Sequence, residues 1–352
     1  MKLTAVADVF IKEEYYREGT AQYPEFELIG TPFFGVNDRT QMRETVRLIE
    51  TGGPTACAPP AALSALIEET EVLMVHLCPV SEVLLERANK LKLILTNRGG
   101  TENIDLAAAS ARGIPVLANP AHNANAVAEY TVGLILGEMR NIGRAHAALK
   151  AGEWRERFPN SGAIWELRGQ TVGLIGFGTI ARLVARKLQG FDCRVLVCDP
   201  FVAADDPELA QYGCPKVELD ELLAASDVVS IHARSSGKPL LGEDELARMK
   251  PSAYLINTAR AHLVDYDALA RALTAGALRG AALDVFPAEP VPADHPLLAL
   301  DCVTLTNHRG GDTVNSYADS PAMLFAEARK LFAGDTEHVR FWINKSNTCK
   351  ST

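Results

Sequence analysis

Apolar residues gather in short β-branched or aliphatic runs at 3–10, 26–29, 71–77, 91–96 and 114–117, and the stretches between them place apolar positions at helical spacing. Such alternation predicts an α/β lobe built on a parallel sheet. From about 123 to 151 the helical periodicity is nearly unbroken and longer than an average helix, which predicts an element crossing between two lobes. A second series of strand-like runs follows at 171–175, 194–198, 228–231, 254–256, 281–285 and 303–306. Those strands complete a doubly wound sheet, so the helical pattern at 316–332 is expected to return to the first lobe. The expected architecture is α/β, with two Rossmann-like or flavodoxin-like lobes, each a doubly wound parallel sheet, and a cleft between them. Residues 1–119 with 310–352 make one lobe and 120–309 the other, and the last dozen residues are expected to fray.

A chain of 352 residues is too long for one ordinary core, and 47% hydrophobic with 22% charged residues is the balance of a folded soluble protein. A formal charge of -9 argues against a general nucleic-acid binder, which needs a basic surface to neutralise phosphates. The seven cysteines are odd in number and contain no Cys-x-x-Cys pair, so neither a disulfide framework nor a metal site is expected. They read as reduced thiols. The N-terminus is acidic by Asp8 and has no long apolar run or small-residue cleavage site. A cytoplasmic protein without a membrane span follows.

Gly176-Phe177-Gly178-Thr179-Ile180-Ala181 sits between a buried strand and a helix whose apolar face is Ala181, Val184, Ala185 and Leu188. In that context Gly176 permits a tight turn and Gly178 lets the backbone approach a pyrophosphate resting on the helix start. The next strand ends in Asp199, close to the spacing expected of a carboxylate that accepts from both ribose hydroxyls and repels a 2'-phosphate. NAD is therefore expected over NADP, with Arg234, near the end of the following strand, expected close enough to the adenosine to soften the discrimination; the duller role for Asp199 is to start its own turn before Pro200. The candidate cofactor contacts are Gly176, Gly178, Thr179, Ile180, Asp199, Ala233, Arg234, Thr258, Ala259, Arg260, Asp284, His308 and Gly310.

Three further residues end successive strand-like runs: Arg260 after Asn257-Thr258-Ala259, Glu289 shortly after Asp284, and His308 after Asn307. A 2-keto acid presents a carboxylate beside a polarisable carbonyl, which calls for a forked cation and a proton donor. Arg260 suits the first role and His308 the second, since imidazole titrates near neutral pH. Glu289 is then the group that orients the imidazole, and Asp284 accepts from a nicotinamide carboxamide. Each alone could be a surface or loop residue, but open α/β sheets bind ligands at the carboxyl ends of their strands, where all three fall. The remaining histidines, His76 and His122 among them, show no such context.

With these residues in view, the stretch from Leu167 to Ala181, Met249-Lys250-Pro251 through Arg260, and Leu283-Asp284-Val285-Phe286 through Glu289-Pro290 resemble the D-isomer-specific 2-hydroxyacid dehydrogenase family. Asn103-Ile104-Asp105-Leu106 and Ala126-Val127-Ala128-Glu129 extend the resemblance to roughly residues 70–330. It implies an NAD-dependent oxidoreductase with Arg260, Glu289 and His308 as catalytic residues, and usually a homodimer built through the cofactor domain. The chain departs from the family at Asn307 and Arg309 around the histidine, at Ala261, at His232-Ala233-Arg234 and in the first-lobe loop Arg98-Gly99-Gly100. Arg98, Gly99, Gly100, Arg260 and Arg309 are the expected substrate contacts, with Arg98 and Arg309 as extra cations for a phosphorylated or dicarboxylic hydroxy acid. Two alternatives stand beside this reading: a scaffold resembling the NAD-sensing C-terminal-binding-protein corepressors, and a phosphite-type dehydrogenase. Glu289 speaks against the formate type, where glutamine is expected.

Overall fold

The computed structural model describes residues 1–234 and 237–348. The chain divides into two compact units, Met1–Asn123 with Thr313–Thr352, and Ala124–Asp312. In the first, β1 (Lys2–Ala5), β2 (Glu27–Gly30), β3 (Val72–Val75), β4 (Leu93–Thr96) and β5 (Val116–Ala118) form a sheet in the order β2-β1-β3-β4-β5. All four pairings are parallel. β3 and β4 are buried along their whole length, as a sheet covered on both faces requires. Because strand side chains alternate, Leu73, Val75, Ile94 and Val116 pack with Leu63 and Ile67 on one face. Val72, Met74, Leu93 and Leu95 pack with Tyr16 and Phe325 on the other.

β1 is shorter than its apolar run because the chain turns after Ala5, and the Asp8 carboxylate accepts from Phe10 N and Ile11 N at 2.8 and 2.9 Å. The C-terminal segment belongs to this unit. Its helical pattern is split into Val314–Ala318 and Ser320–Phe332, where Pro321 suits a first helical turn. Phe325 stacks on Phe26 with centroids 4.9 Å apart. The tail corrects the expected fraying. Asn344 is buried, accepts from Val116 N at 2.9 Å and donates to Ile114 O at 2.9 Å. Residues 349–352, Cys349 included, lie outside the described residues.

The second unit holds β6 (Thr171–Ile175), β7 (Arg194–Cys198), β8 (Val228–Ile231), β9 (Tyr254–Asn257), β10 (Gly280–Leu283) and β11 (Val303–Leu305), in the order β11-β10-β9-β8-β6-β7. These pairings too are parallel. Strand order reverses between β6 and β8, and in open α/β sheets that reversal opens a crevice at the carboxyl ends. The long helical pattern is not one crossing element. Ala124–Met139 lies in this unit and packs Ala128, Val132, Ile135 and Met139 against Val172, Leu174 and Val184. Asn141 then takes a left-handed φ of 56° before Ile142–Lys150, a conformation Asn tolerates better than most residues. Its carboxamide donates to Asn160 Oδ1 at 2.7 Å, which holds the break in place. Among the described residues no helix is long and apolar enough to cross a membrane.

Candidate active site

β6 runs into Gly176, whose φ of 92° and surroundings exclude any side chain: a Cβ there would lie 2.8 Å from Ala233 N and from the His232 carbonyl carbon. Gly178 is a different case. Its φ is -77°, it caps Thr179–Leu188 without a side-chain cap, and among the described residues nothing lies within 4 Å of where its Cβ would stand. The helix start thus offers uncapped N–H groups of Thr179 and Ile180 beside open space, the arrangement that receives phosphate. Ala181, in the third position of the motif, is fully buried.

Asp199 follows β7 and braces this turn. One carboxylate oxygen accepts from Phe177 N and the other from Phe201 N, both at 2.8 Å. The two readings of Asp199 are therefore compatible: it builds its own turn, and each oxygen keeps a second lone pair for a ribose hydroxyl. The other end of the Phe177 peptide is held by Arg182, whose Nε donates to Phe177 O at 3.0 Å while the guanidinium lies 4.5 Å over the Phe177 ring. Arg182 also pairs with Asp206 at 2.7 Å, and hydrogen bonding to that guanidinium holds the Asp206 carboxyl down at about 2. Ala233 is half-buried against the core and Arg234 is exposed.

The candidate reacting residues, Arg260, Glu289 and His308, stand on the loops after β9, β10 and β11. Asn257, fully buried at the end of β9, accepts from Ala259 N and donates to Arg260 O, both at 3.0 Å. This closes a tight loop that leaves the Arg260 side chain exposed, with Nη1 donating to Ala259 O at 2.8 Å. Thr258 is buried against Thr131, hydroxyl to hydroxyl at 2.8 Å. After β10 comes Asp284, 2% exposed. Its carboxylate accepts from the Thr306 hydroxyl at 2.6 Å, from Arg309 N at 2.9 Å and from Gly310 N at 2.8 Å. Those bonds straddle His308, whose φ is 56°, so the left-handed turn that presents the imidazole is fixed on both sides. His308 Nδ1 lies 2.9 Å from Glu289 Oε2, and Glu289 Oε1 accepts from Phe286 N at 3.0 Å. With Nδ1 engaged by a carboxylate, Nε2 is the ring atom left to exchange a proton. Imidazole and carboxylate are 52% and 39% exposed, open to a ligand.

Neither extra arginine is a lone cation. In the first unit Arg98 pairs with Glu50 at 2.9 Å and Glu102 at 3.3 Å, leaving Nη1 buried without a hydrogen bond. In the second, Arg309 pairs with Asp312 at 2.7 Å. Gly99 lies against Pro120, where a Cβ would come within 3.1 Å of Pro120 Cα, and beside Gly100 the Glu102 carboxylate fills the space a side chain would take.

The glycine turn, the carboxylate after the second strand, and the imidazole–carboxylate pair all stand at carboxyl ends of strands in one parallel sheet. Residues 132–310 match the family model described as D-isomer specific 2-hydroxyacid dehydrogenase, NAD binding domain. The chain belongs to the D-isomer-specific 2-hydroxyacid dehydrogenase family. It is 35% identical to a D-3-phosphoglycerate dehydrogenase of Methanocaldococcus jannaschii over 83% of this chain and 56% of that protein. It is 40% identical to a glyoxylate reductase of Thermofilum pendens over 66% of this chain and 69% of that one. Against the first of these, and against further phosphoglycerate dehydrogenases, the chain spans little more than half the relative's length. The fold is shared with the NAD-complexed D-isomer specific 2-hydroxyacid dehydrogenase of Lactobacillus delbrueckii ssp. bulgaricus, at a TM-score of 0.74, 23% identity, and coverage of 95% and 98% of the two chains.

For this family member, reading along the sequence missed the residues that hold the site together. Asn257 belongs to the Asn257-Thr258-Ala259-Arg260 run, but nothing in that run signals that its carboxamide closes the Arg260 loop. Arg182 is one more basic residue on an amphipathic helix until its partners Asp206 and Glu208 are placed. In the first unit, separately, His76 is buried against Asp8, a pairing its sequence context does not signal.

Proposed function

We propose that this protein interconverts a D-2-hydroxy acid and its 2-keto acid with NAD. The observation that carries this reading is the His308–Glu289 pair, 2.9 Å apart on loops at the carboxyl edge of the NAD-binding domain's sheet, with Arg260 on the neighbouring loop. NAD is held by the turn at Gly176 and Gly178, by the amides of Thr179 and Ile180, by Asp199 at the ribose, and by the strand-end residues Ala233, Arg234, Thr258, Ala259, Asp284 and Gly310. When bound, it supplies or accepts the hydride. His308 Nε2 gives a proton to the carbonyl oxygen in reduction and takes one from the hydroxyl in oxidation. Glu289 fixes the tautomer by accepting from Nδ1–H, and Arg260 grips the substrate carboxylate with two donors. Arg98, Gly99, Gly100 and Arg309 contribute to binding, and the substrate carries a second anionic or strongly polar end.

The finer setting follows from the surface. Six described cysteines are unbridged, which suits the cytoplasm. In the second unit Ile142, Leu149, Trp154 and Trp165 are 59, 58, 80 and 60% exposed. So much apolar surface in one stretch of chain supports a homodimer through this domain. Turnover of the D and L enantiomers of lactate, malate and glycerate, followed by NAD reduction, tests the main reading. D acids alone should react; if no acid of either hand reduces NAD, the reading fails.

A further inference from the structure

In the second unit Arg260 and Glu289 stand on separate loops, one after β9 and one after β10. The chain leaving Arg260 folds back on itself at once. Leu263 N donates to Arg260 O at 3.3 Å and Val264 N to Ala261 O at 3.1 Å. Asp265 then caps the helix Tyr266–Thr274, accepting from Asp267 N at 3.0 Å and Ala268 N at 2.9 Å. Tyr266, the first residue of that helix, is thereby fixed to the Arg260 segment, and it is 6% exposed.

Its hydroxyl crosses to the other loop. Val285 is buried just past the end of β10, where the strand ladder has stopped, and its carbonyl accepts from Tyr266 Oη at 2.5 Å. A buried carbonyl calls for such a donor. Val285 lies between the two supports of His308. On one side Asp284 accepts from Arg309 N and Gly310 N and holds the turn; on the other Phe286 N donates to Glu289 Oε1, whose partner oxygen meets the imidazole. The Tyr266 ring also meets the Phe286 ring edge-on, with centroids 6.3 Å apart at 68°. Burial raises the Tyr266 pKa, hydrogen bonding to Asn257 opposes that rise, and the charges of Glu289 and Asp284 add to it. The phenol is therefore a proton donor at neutral pH, within electrostatic reach of both loops. Packing alone asks only for a ring, which phenylalanine would supply. The hydroxyl adds a bond from a fixed helix start to the peptide on which both supports of the imidazole hang.

Resting on the hydroxyacid reading, we propose that Tyr266 is a positioning residue for the reaction: its hydroxyl ties the segment carrying Arg260 to the loop carrying Glu289, and through Glu289 it holds the His308 ring in place. It touches neither substrate nor cofactor. Its effect on the chemistry passes through Glu289.

Two readouts test it. Tyr266→Phe keeps the ring and removes only the hydroxyl. With D-lactate or D-malate and NAD, kcat per NAD-binding protein should fall by about tenfold or more, as displacement of a reacting group does, while Kd for NAD stays within about twofold. In a Glu289→Gln background the imidazole has already lost its carboxylate, so the same substitution should cost less than about threefold. A merely structural loss would cost the same in both backgrounds, and referring kcat to protein that binds NAD lets a variant that folds only in part still report. Amide hydrogen exchange reads the link without turnover. The amides of Ala259 and Phe286, bonded to Asn257 Oδ1 and Glu289 Oε1, should exchange about tenfold faster or more in Tyr266→Phe, with those of β6 unchanged. Exchange at either amide as in the parent, or an equal loss of kcat in the two backgrounds, overturns the proposal. If the parent turns over neither acid, the hydroxyacid reading fails, and exchange alone decides whether the hydroxyl joins the two loops.

Discussion

The two glycines of the cofactor turn should fail in opposite ways when replaced by alanine. At Gly176 an alanine must hold a left-handed φ of 92°, at roughly 1–2 kcal/mol, and place its Cβ 2.8 Å from backbone atoms of residues 232 and 233. Backbone cannot swing aside as a long side chain can, so overpacking adds about 1–3 kcal/mol. Gly176→Ala should therefore lose about 2–5 kcal/mol of stability, a drop of roughly 5–20 °C in Tm for a unit of this size. At Gly178 the φ is -77° and no described atom lies within 4 Å of the new methyl group. Stability should stay within about 0.5 kcal/mol. The methyl group instead takes up space through which the pyrophosphate reaches the helix start, so Kd for NAD should rise about tenfold or more, at least ~1.4 kcal/mol. Thermal melts and fluorescence titration with NAD separate the two effects. A Gly178→Ala protein that binds NAD like the parent, or a Gly176→Ala protein that melts with it, would refute the assignment of this turn.

Other consequences can be checked alongside. His308→Gln should reduce kcat by about 10²- to 10⁴-fold while NAD still binds; stopped-flow turnover and the same titration check both halves. His232, after β8, bonds through its backbone N–H to Ile175 O at 2.7 Å, and burial pushes its imidazole pKa down to about 4. The unfolded chain takes up this proton near pH 6.5, so stability is retained above that pH and lost as the solution is acidified toward 4. Between pH 7 and 5 the loss from this residue is about 2 kcal/mol by proton linkage, measurable by urea unfolding. His232→Gln should not show that increment, and an equal pH dependence in parent and variant would remove the explanation. Sedimentation should give a dimer, and Trp154→Glu with Trp165→Glu should shift it toward monomer; an unchanged dimer would place the interface elsewhere.

What could be read along the chain was whatever is local. Strands such as Val72–Val75 and Leu93–Thr96 announce themselves because parallel strands buried on both faces are continuous apolar runs. The Gly176 turn, Arg260, Glu289 and His308 were legible because each follows such a run at a spacing set by chemistry. The structure unites the last two in a hydrogen-bonded pair across 19 residues. What stayed hidden depends on partners distant in sequence. Asp8 and His76 are 68 residues apart, and Arg98 is neutralised by Glu50 from 48 residues away. No periodicity encodes those pairings, because only the fold brings strand ends together. The break at Asn141 was missed for a different reason, since apolar spacing continues through it while a single left-handed residue redirects the helix.

The central claim is that His308, Glu289 and Arg260 serve hydride exchange between a D-2-hydroxy acid and NAD. Its most direct measurement uses D-lactate or D-malate carrying deuterium at carbon 2, incubated with NAD and the protein, with the nicotinamide analysed by mass spectrometry. The account predicts one deuterium in the reduced nicotinamide for each keto acid formed, none from the L enantiomer, and a rate cut by orders of magnitude in His308→Gln. Keto acid formed without deuterium in the nicotinamide, or transfer undiminished in that variant, would contradict it.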